Sequence, residues 1–152
     1  MAATTNRLET LCSRIMSHRV LSLRPEQPIA KAYAIMKENG FHHMAILGDD
    51  DHLKGVLSLG DILLVARKDG EELQFPDQPV ATIMSVDPIT CSREHTTAQV
   101  ADLMIQHKIM CLPVVSSRDK LIGIITSTDL LELVRTELEP KPLPGELFQE
   151  SA

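Results

Sequence analysis

A chain of 152 residues has room for one compact domain or for two small halves that share a core. Hydrophobic residues make up 43% of it, but aromatics only 3%, with no Trp and one Tyr, so its core must be aliphatic. A formal net charge of -6 argues against a general nucleic-acid binder, which carries a basic field, while local geometry can still hold a small anionic ligand.

The opening MAATTNRLETLCSRIM puts Arg7 and Glu9 ahead of any long apolar run, unlike a signal peptide, and no apolar stretch is long enough to span a bilayer. These features predict a cytoplasmic chain that does not enter a membrane. Cys12, Cys91 and Cys111 form neither a metal-site spacing nor a disulfide framework, and free thiols in the interior are expected.

In chain order, the first extended segment falls around residues 20–23. A helix is predicted over 28–39. Pro28 suits a first helical position, Gly40 the stop, and Ile29, Ala32, Tyr33, Ile35 and Met36 recur mostly at helical spacing. Two strands follow, 44–47 and 53–58, across a turn at 48–52, and then a helix over 59–68. Residues 69–79, with Gly70, Pro76, Pro79 and several acids, read as a linker. An extended segment at 89–91 opens the second half. Thr96 or Thr97 caps the next helix, whose stripe holds Val100, Leu103, Met104 and His107. Strands 112–115 and 121–126 flank a turn at 116–120, and a last helix covers 128–137. Residues 138–152 contain three prolines and no sustained period, which predicts an extended or disordered tail.

The halves are copies. Ile15-Met16-Ser17 returns as Ile83-Met84-Ser85, an offset of 68 residues. The same offset carries Ala30 onto Ala98, Met36 onto Met104, Asp51 onto Asp119, Gly55 onto Gly123, Asp61 onto Asp129 and Arg67 onto Arg135, with no gap. The chain therefore reads as β-α-β-β-α twice, with repeats over 8–68 and 80–137 and a linker over 69–79. Each unit is too small to bury its apolar faces alone. The expected fold is of the α/β (α+β) class, two repeats packed sheet to sheet around one shared core with pseudo-two-fold symmetry.

The pattern resembles the CBS repeat, and two in tandem resemble a Bateman module. The resemblance is carried by ILGDDDHLKGVLSLGDIL from Ile46 to Leu63 and by VVSSRDKLIGIITSTDLL from Val114 to Leu131. Leu112-Pro113-Val114-Val115, the Ile-Met-Ser openings and Pro88-Ile89-Thr90 add to it. It spans roughly residues 8–137.

The chemistry concentrates where a strand meets a helix. Ser58 and Asp61 stand at one such turn, Thr126 and Asp129 at the other. A helix start offers free N–H groups and positive partial charge to a phosphate, and the hydroxyl can donate to it. The ionised Asp accepts only, so it suits a ribose cis-diol. The same Ser/Thr-x-x-Asp spacing is also that of a capping box. Ligand contact and capping remain open together, the cap holding an empty site in shape.

The resemblance implies further contacts. Carried over by position, these are Phe41, His42 and His43 in the first repeat, and Ile109, Met110 and Cys111 in the second, with Leu21 and Ile89 on the opening strands. Similar modules often place a His-Arg pair at the two middle positions of this stretch. His42-His43 occupies them here in the first repeat and Met110-Cys111 in the second, so the two sites should differ, with cations only beside Ser58 and Asp61. Neighbours on a strand point to opposite faces, so one of the two histidines at most faces a given cleft. Val56 and Ile124, with Leu21, Ile89 and Ile109, either sandwich an adenine ring or are plain core.

The resemblance implies a regulatory module, not an enzyme. It would bind AMP, ADP, ATP or S-adenosylmethionine between its repeats, need no cofactor, and modulate an unidentified protein partner. The alternative is a ligand-free assembly module, a homodimer joined through the helix faces at 62–65 and 130–134. Nucleic-acid and membrane partners are not expected. No hydrolase, phosphate-loop or zinc-protease motif occurs. His42, His43 and His52 lack metal-site spacing, and Gly48-Asp49-Asp50-Asp51 lacks the later ligands of a calcium loop.

Overall fold

In the computed structural model, which describes residues 10–138, the periodic segments become four helices and two main sheets. The predicted tail from 139 onward and the first two residues of the first repeat lie outside the described residues. The first repeat comprises β1 (Ser22–Leu23), α1 (Ile29–Asn39), β2 (His43–Leu47), β3 (Leu53–Ser58) and α2 (Leu59–Val65). Strands β4 (Arg67–Asp69), β5 (Glu72–Gln74) and β6 (Ser85–Val86) follow. The second repeat continues with β7 (Cys91–Ser92), α3 (Thr97–His107), β8 (Cys111–Val115), β9 (Leu121–Thr126) and α4 (Ser127–Leu138).

Local sequence chemistry sets the boundaries. Gly40 stops α1 at φ 68°, its N–H returning to the Met36 carbonyl. Lys108 takes the same left-handed turn at φ 54° after α3, without a glycine's freedom. Asp51 and Asp119, at φ 62° and 57°, turn the two long hairpins. Thr96 caps α3 reciprocally with Gln99.

Four expectations change. Pro28 is the N-cap of α1 and not its first helical residue, because its extended backbone stands just outside the helix. His107 is exposed at the end of α3, since Val100 and Met104 already fill the buried face. Helix α2 ends at Val65, because exposed Arg67, Lys68 and Asp69 give a longer helix nothing to bury. Those three residues instead pair as β4 with β5 around Gly70 at φ 63°, so part of the presumed linker is a hairpin. Phe75 then packs on Tyr33, ring centroids 4.7 Å apart.

The main sheets run β1-β2-β3-β6 and β7-β8-β9. In each, the opening strand is parallel to the middle one, and the hairpin is antiparallel. Strand β6 opens the second repeat yet pairs with β3 of the first, Ser85 opposite Val56. Reciprocally, Ser17 bridges Ile124 of β9, with N–H···O distances of 2.8 and 3.0 Å in the two directions. These positions are related by the repeat offset, so the repeated Ile-Met-Ser is the segment by which each half docks on the other's sheet. Both positions opposite it are glycine, and the approach is close. A Cβ on Gly55 would lie 2.7 Å from the Ser85 carbonyl oxygen and 2.8 Å from Met84 Sδ, and one on Gly123 would lie 2.7 Å from Met16 Sδ.

The helix-side interior is not one shared core but two clusters. One gathers Ile29, Met36, Met44, Ile46, Leu57 and Ile62 with Val80 from beyond the linker. The other gathers Cys91, Val100, Leu112, Val114 and Ile125 with Cys12 and Met16 from the opening of the first repeat. Each sheet covers its own helices, which splits the interior, while the exchanged segments tie the halves together. Alternation along the strands turns His43, Ala45, Val56 and Ser58 to the face away from the first cluster. Ala45, Pro113 and Ile124 are buried yet belong to neither cluster. The faces away from the helices are therefore also covered.

Candidate functional site

Ser58 ends β3 and Asp61 lies in the first turn of α2, both half-buried. The Ser58 N–H and Oγ–H both donate to Asp61 Oδ2, at 2.9 and 2.7 Å, and the Asp61 N–H donates to Ser58 Oγ at 3.1 Å. This is a complete capping box. Thr126 repeats the carboxylate half of the arrangement, its N–H and Oγ1–H reaching Asp129 Oδ2 at 2.7 and 3.0 Å. This reach-back of the carboxylate is thus present at both turns. In each it uses one carboxylate oxygen, and Oδ1 accepts no hydrogen bond among the described residues. A ligand hydroxyl can therefore be received without breaking the cap. Donation to a phosphate is more demanding, because each hydroxyl hydrogen is already committed to its Asp. The N–H groups of Leu59 and Ser127 are also engaged, by the His42 and Met110 carbonyls at 2.8 and 2.9 Å.

The neighbouring strand makes the two turns chemically unequal. His43 is paired with Ser58, and Cys111 with Thr126. Burial pulls the His43 pKa below the usual imidazole range, the nearby His42 pulls the same way, and Asp61 pulls it back up. His42 itself, one residue ahead of β2, is exposed. Burial pushes the Cys111 thiol up to about 12, with the Asp129 charge adding to it. An imidazole thus stands beside one carboxylate and an un-ionised thiol beside the other.

The remaining singled-out residues divide. Leu21 packs against the first cluster, and Ile89 and Ile109 against the second, all half-buried. Val56 is half-buried and Ile124 is 8% exposed. Phe41 and Met110 are 40% and 63% exposed, large apolar side chains at the openings of β2 and β8.

A cavity of about 400 Å³ lies elsewhere, between the hairpins of the two repeats. It is lined by His18, Val20, Ser22, Leu47 and Asp51 from one half and by Lys120, Leu121 and Ile122 from the other. None of the candidate ligand contacts named from the sequence lines it. It sits at the Leu47 end of β2, whereas Ser58 pairs at the His43 end. Only the conjunction of two hairpin tips across the repeats, bridged at His52 and Lys120, brings these residues together. No sequence motif marks it. Among the described residues no group of three His, Cys, Asp or Glu is placed to hold a metal ion, and no helix is long and apolar enough to cross a membrane.

Two β-α-β-β-α repeats, each closing on a strand hydroxyl and a helix-start carboxylate, define a tandem CBS pair. The chain belongs to the CBS domain family, whose profile matches residues 12–68 and 80–136. A CBS domain-containing protein of Dictyostelium discoideum is 25% identical over 89% of this chain and 98% of its own length. Against other curated relatives the chain spans far less, 32%, 24% and 25% of three of them. The CBS domain pair of protein MJ0100, solved with 5-methylthioadenosine and S-adenosyl-L-methionine, superposes with a TM-score of 0.75. It is 23% identical and covers 84% of this chain and 98% of its own. CBSX2 in complex with AMP gives 0.72 at 21% identity, covering 84% and 97%. At these identities the two structures establish the fold.

Proposed function

We propose that this protein is a regulatory module that senses an adenosine-containing ligand, AMP, ADP, ATP or S-adenosylmethionine, in the clefts between its repeats. The observation that carries the reading is the pair of half-buried carboxylates, Asp61 and Asp129, each fixed by its own cap with Oδ1 left open. Such a group is pre-oriented to accept a ribose diol, so little ordering cost remains at binding. Similar CBS pairs solved with adenosine ligands support the choice of ligand class. The cleft beside His43 favours a phosphate-bearing ligand, because an imidazole that takes up a proton supplies the countercharge. The cleft beside Cys111 favours a ligand with less negative charge. The ligand acts by preferring one arrangement of the interlocked halves, and a cytoplasmic partner protein reads that preference. The module itself performs no chemistry.

The test is a calorimetric and thermal-shift panel of AMP, ADP, ATP, S-adenosylmethionine and adenosine. A ligand at about 100 times its Kd adds roughly 2.7 kcal/mol and raises the unfolding temperature. No heat and no shift at millimolar ligand would defeat the reading.

A second reading, assembly, rests on exposed apolar side chains. Leu63 and Leu64 on α2 are 46% and 86% exposed, and Leu131, Val134 and Leu138 on α4 are 67%, 50% and 78%. Ile62, expected on that face, is fully buried in the first cluster instead. These residues fit a homodimer joined through α2 and α4. Light scattering tests it, and a monomer at every ligand and protein concentration would refute it.

A further inference from the structure

The opening segment of the first repeat is held on the second cluster by a short set of bonds. The Cys12 N–H donates to the His95 carbonyl at 2.8 Å, the Thr97 N–H to the Thr10 carbonyl at 2.8 Å, and the Ser13 N–H to the Arg93 carbonyl at 3.4 Å. The Cys12 thiol donates to the Ser92 carbonyl at 3.2 Å, which brings it beside Cys91. Both side chains are buried, 0% and 2% exposed, and both belong to the second cluster. The repeat offset gives a control within the same molecule. Cys12 corresponds to Val80 and Cys91 to Leu23, and both counterparts lie together in the first cluster. Aliphatic side chains therefore fill this place equally well, and packing alone does not call for two adjoining thiols in the second cluster.

We propose that Cys12 and Cys91 are a redox-modifiable pair, closing to an intramolecular disulfide that latches the exchanged N-terminal segment onto the second repeat. The oxidant class is a low-molecular-weight disulfide such as oxidised glutathione. Cys12 gives up its proton, and its thiolate attacks one sulfur of the oxidant. The S–S bond of the oxidant breaks, and one glutathione leaves as thiolate and takes a proton. Cys91 then loses its proton, and its thiolate attacks the Cys12 sulfur in the mixed disulfide and expels the second glutathione. Two protein thiols are oxidised, and one disulfide is reduced to two thiols. Burial raises both protein thiols, Cys91 to about 12, so thiolate is scarce while the segment is docked. Oxidation therefore proceeds through transient release of the segment and is slow. Once closed, the bond ties the opening of the first repeat to β7 of the second, and release ceases. Cys111 is the competing partner. It lies on the sheet face away from the second cluster, to which Cys12 and Cys91 both belong.

The full-length protein is incubated with oxidised or reduced glutathione and stripped of it, and its thiols are titrated in denaturant. The wild type, with three cysteines, should fall from three thiols to one, and Cys111→Ser from two to none. Peptide mass spectrometry should show residue 12 joined to residue 91. The double variant Cys12→Val/Cys91→Leu, which installs the pair found in the first cluster, should keep its single thiol throughout. Oxidation should raise the urea midpoint of the wild type and of Cys111→Ser, and leave that of the double variant unchanged. A wild-type count that stays at three, a stable glutathione adduct, or a cross-link containing Cys111 would overturn the assignment. A lowered midpoint on closure would overturn the latch.

Discussion

Gly55→Ala should destabilise the protein distinctly more than Gly123→Ala, although the two glycines are repeat mates. A Cβ at position 55 would lie 2.7 Å from the Ser85 carbonyl oxygen, a backbone atom that cannot move without β6. Strand β6 is held on β3 by only two residue pairs, Gly55 with Val86 and Val56 with Ser85. At position 123 the closest atom is Met16 Sδ at 2.7 Å, the end of a flexible side chain, and the Ser17 oxygen is 3.1 Å away. Overpacking against a fixed neighbour costs roughly 1–3 kcal/mol. Replacing glycine in a strand returns about 0.5–1 kcal/mol of unfolded-state entropy. The net loss for Gly55→Ala is then about 1–2 kcal/mol, and that for Gly123→Ala is close to zero. With no Trp in the chain, urea unfolding is best followed by far-ultraviolet circular dichroism, with the m-value checked for constancy. Equal losses, or a stabilised Gly55→Ala, would refute the account of how the halves interlock.

Lys108→Gly should stabilise the protein by about 0.5–1 kcal/mol in the same assay, because it relieves a left-handed residue at φ 54°. Asp61→Ala and Asp129→Ala should each weaken adenosine ligands at their own cleft by about 10- to 100-fold, the worth of hydrogen bonds to a charged group, in calorimetry. Of the two, Asp61→Ala should cost a phosphate-bearing ligand more. His43 sets a pH dependence whose sign follows from its lowered pKa. The unfolded chain binds the proton more readily, so His43 favours folding above the ordinary imidazole pKa of about 6.5, and that stability is lost as pH falls. Binding of AMP at the first cleft should strengthen over the same fall, since the phosphate favours the imidazolium. His43→Gln should flatten both profiles, and a profile unchanged by the substitution would contradict this.

The repeat offset made most of the fold legible, because the hydrophobic period and both strand-to-helix turns recur in register, while Gly40 and Thr96 each mark one helix end. It did not reveal that Ile-Met-Ser docks on the opposite repeat. A two-residue strand such as β6 carries no period of its own, and the glycine that receives it looks like any other strand glycine. The helix predicted to residue 68 overran Val65 because helix propensity alone cannot see where buried surface ends. The Ser58–Asp61 and Thr126–Asp129 turns could be read from spacing, with capping and ligand contact both open. The geometry shows the full capping box at Ser58, its carboxylate half at Thr126, and one oxygen of each carboxylate without a hydrogen bond among the described residues. The cavity lined by His18, Asp51 and Lys120 had no signature, since three separated loops build it.

A crystal structure after soaking with AMP would decide where, and whether, the module holds its ligand. The ribose hydroxyls should lie within hydrogen-bonding distance of Asp61 Oδ1 or Asp129 Oδ1, with phosphate toward His43 in the first case. Nucleotide density in the hairpin cavity instead, or none at saturating AMP in crystals with open clefts, would contradict the assignment.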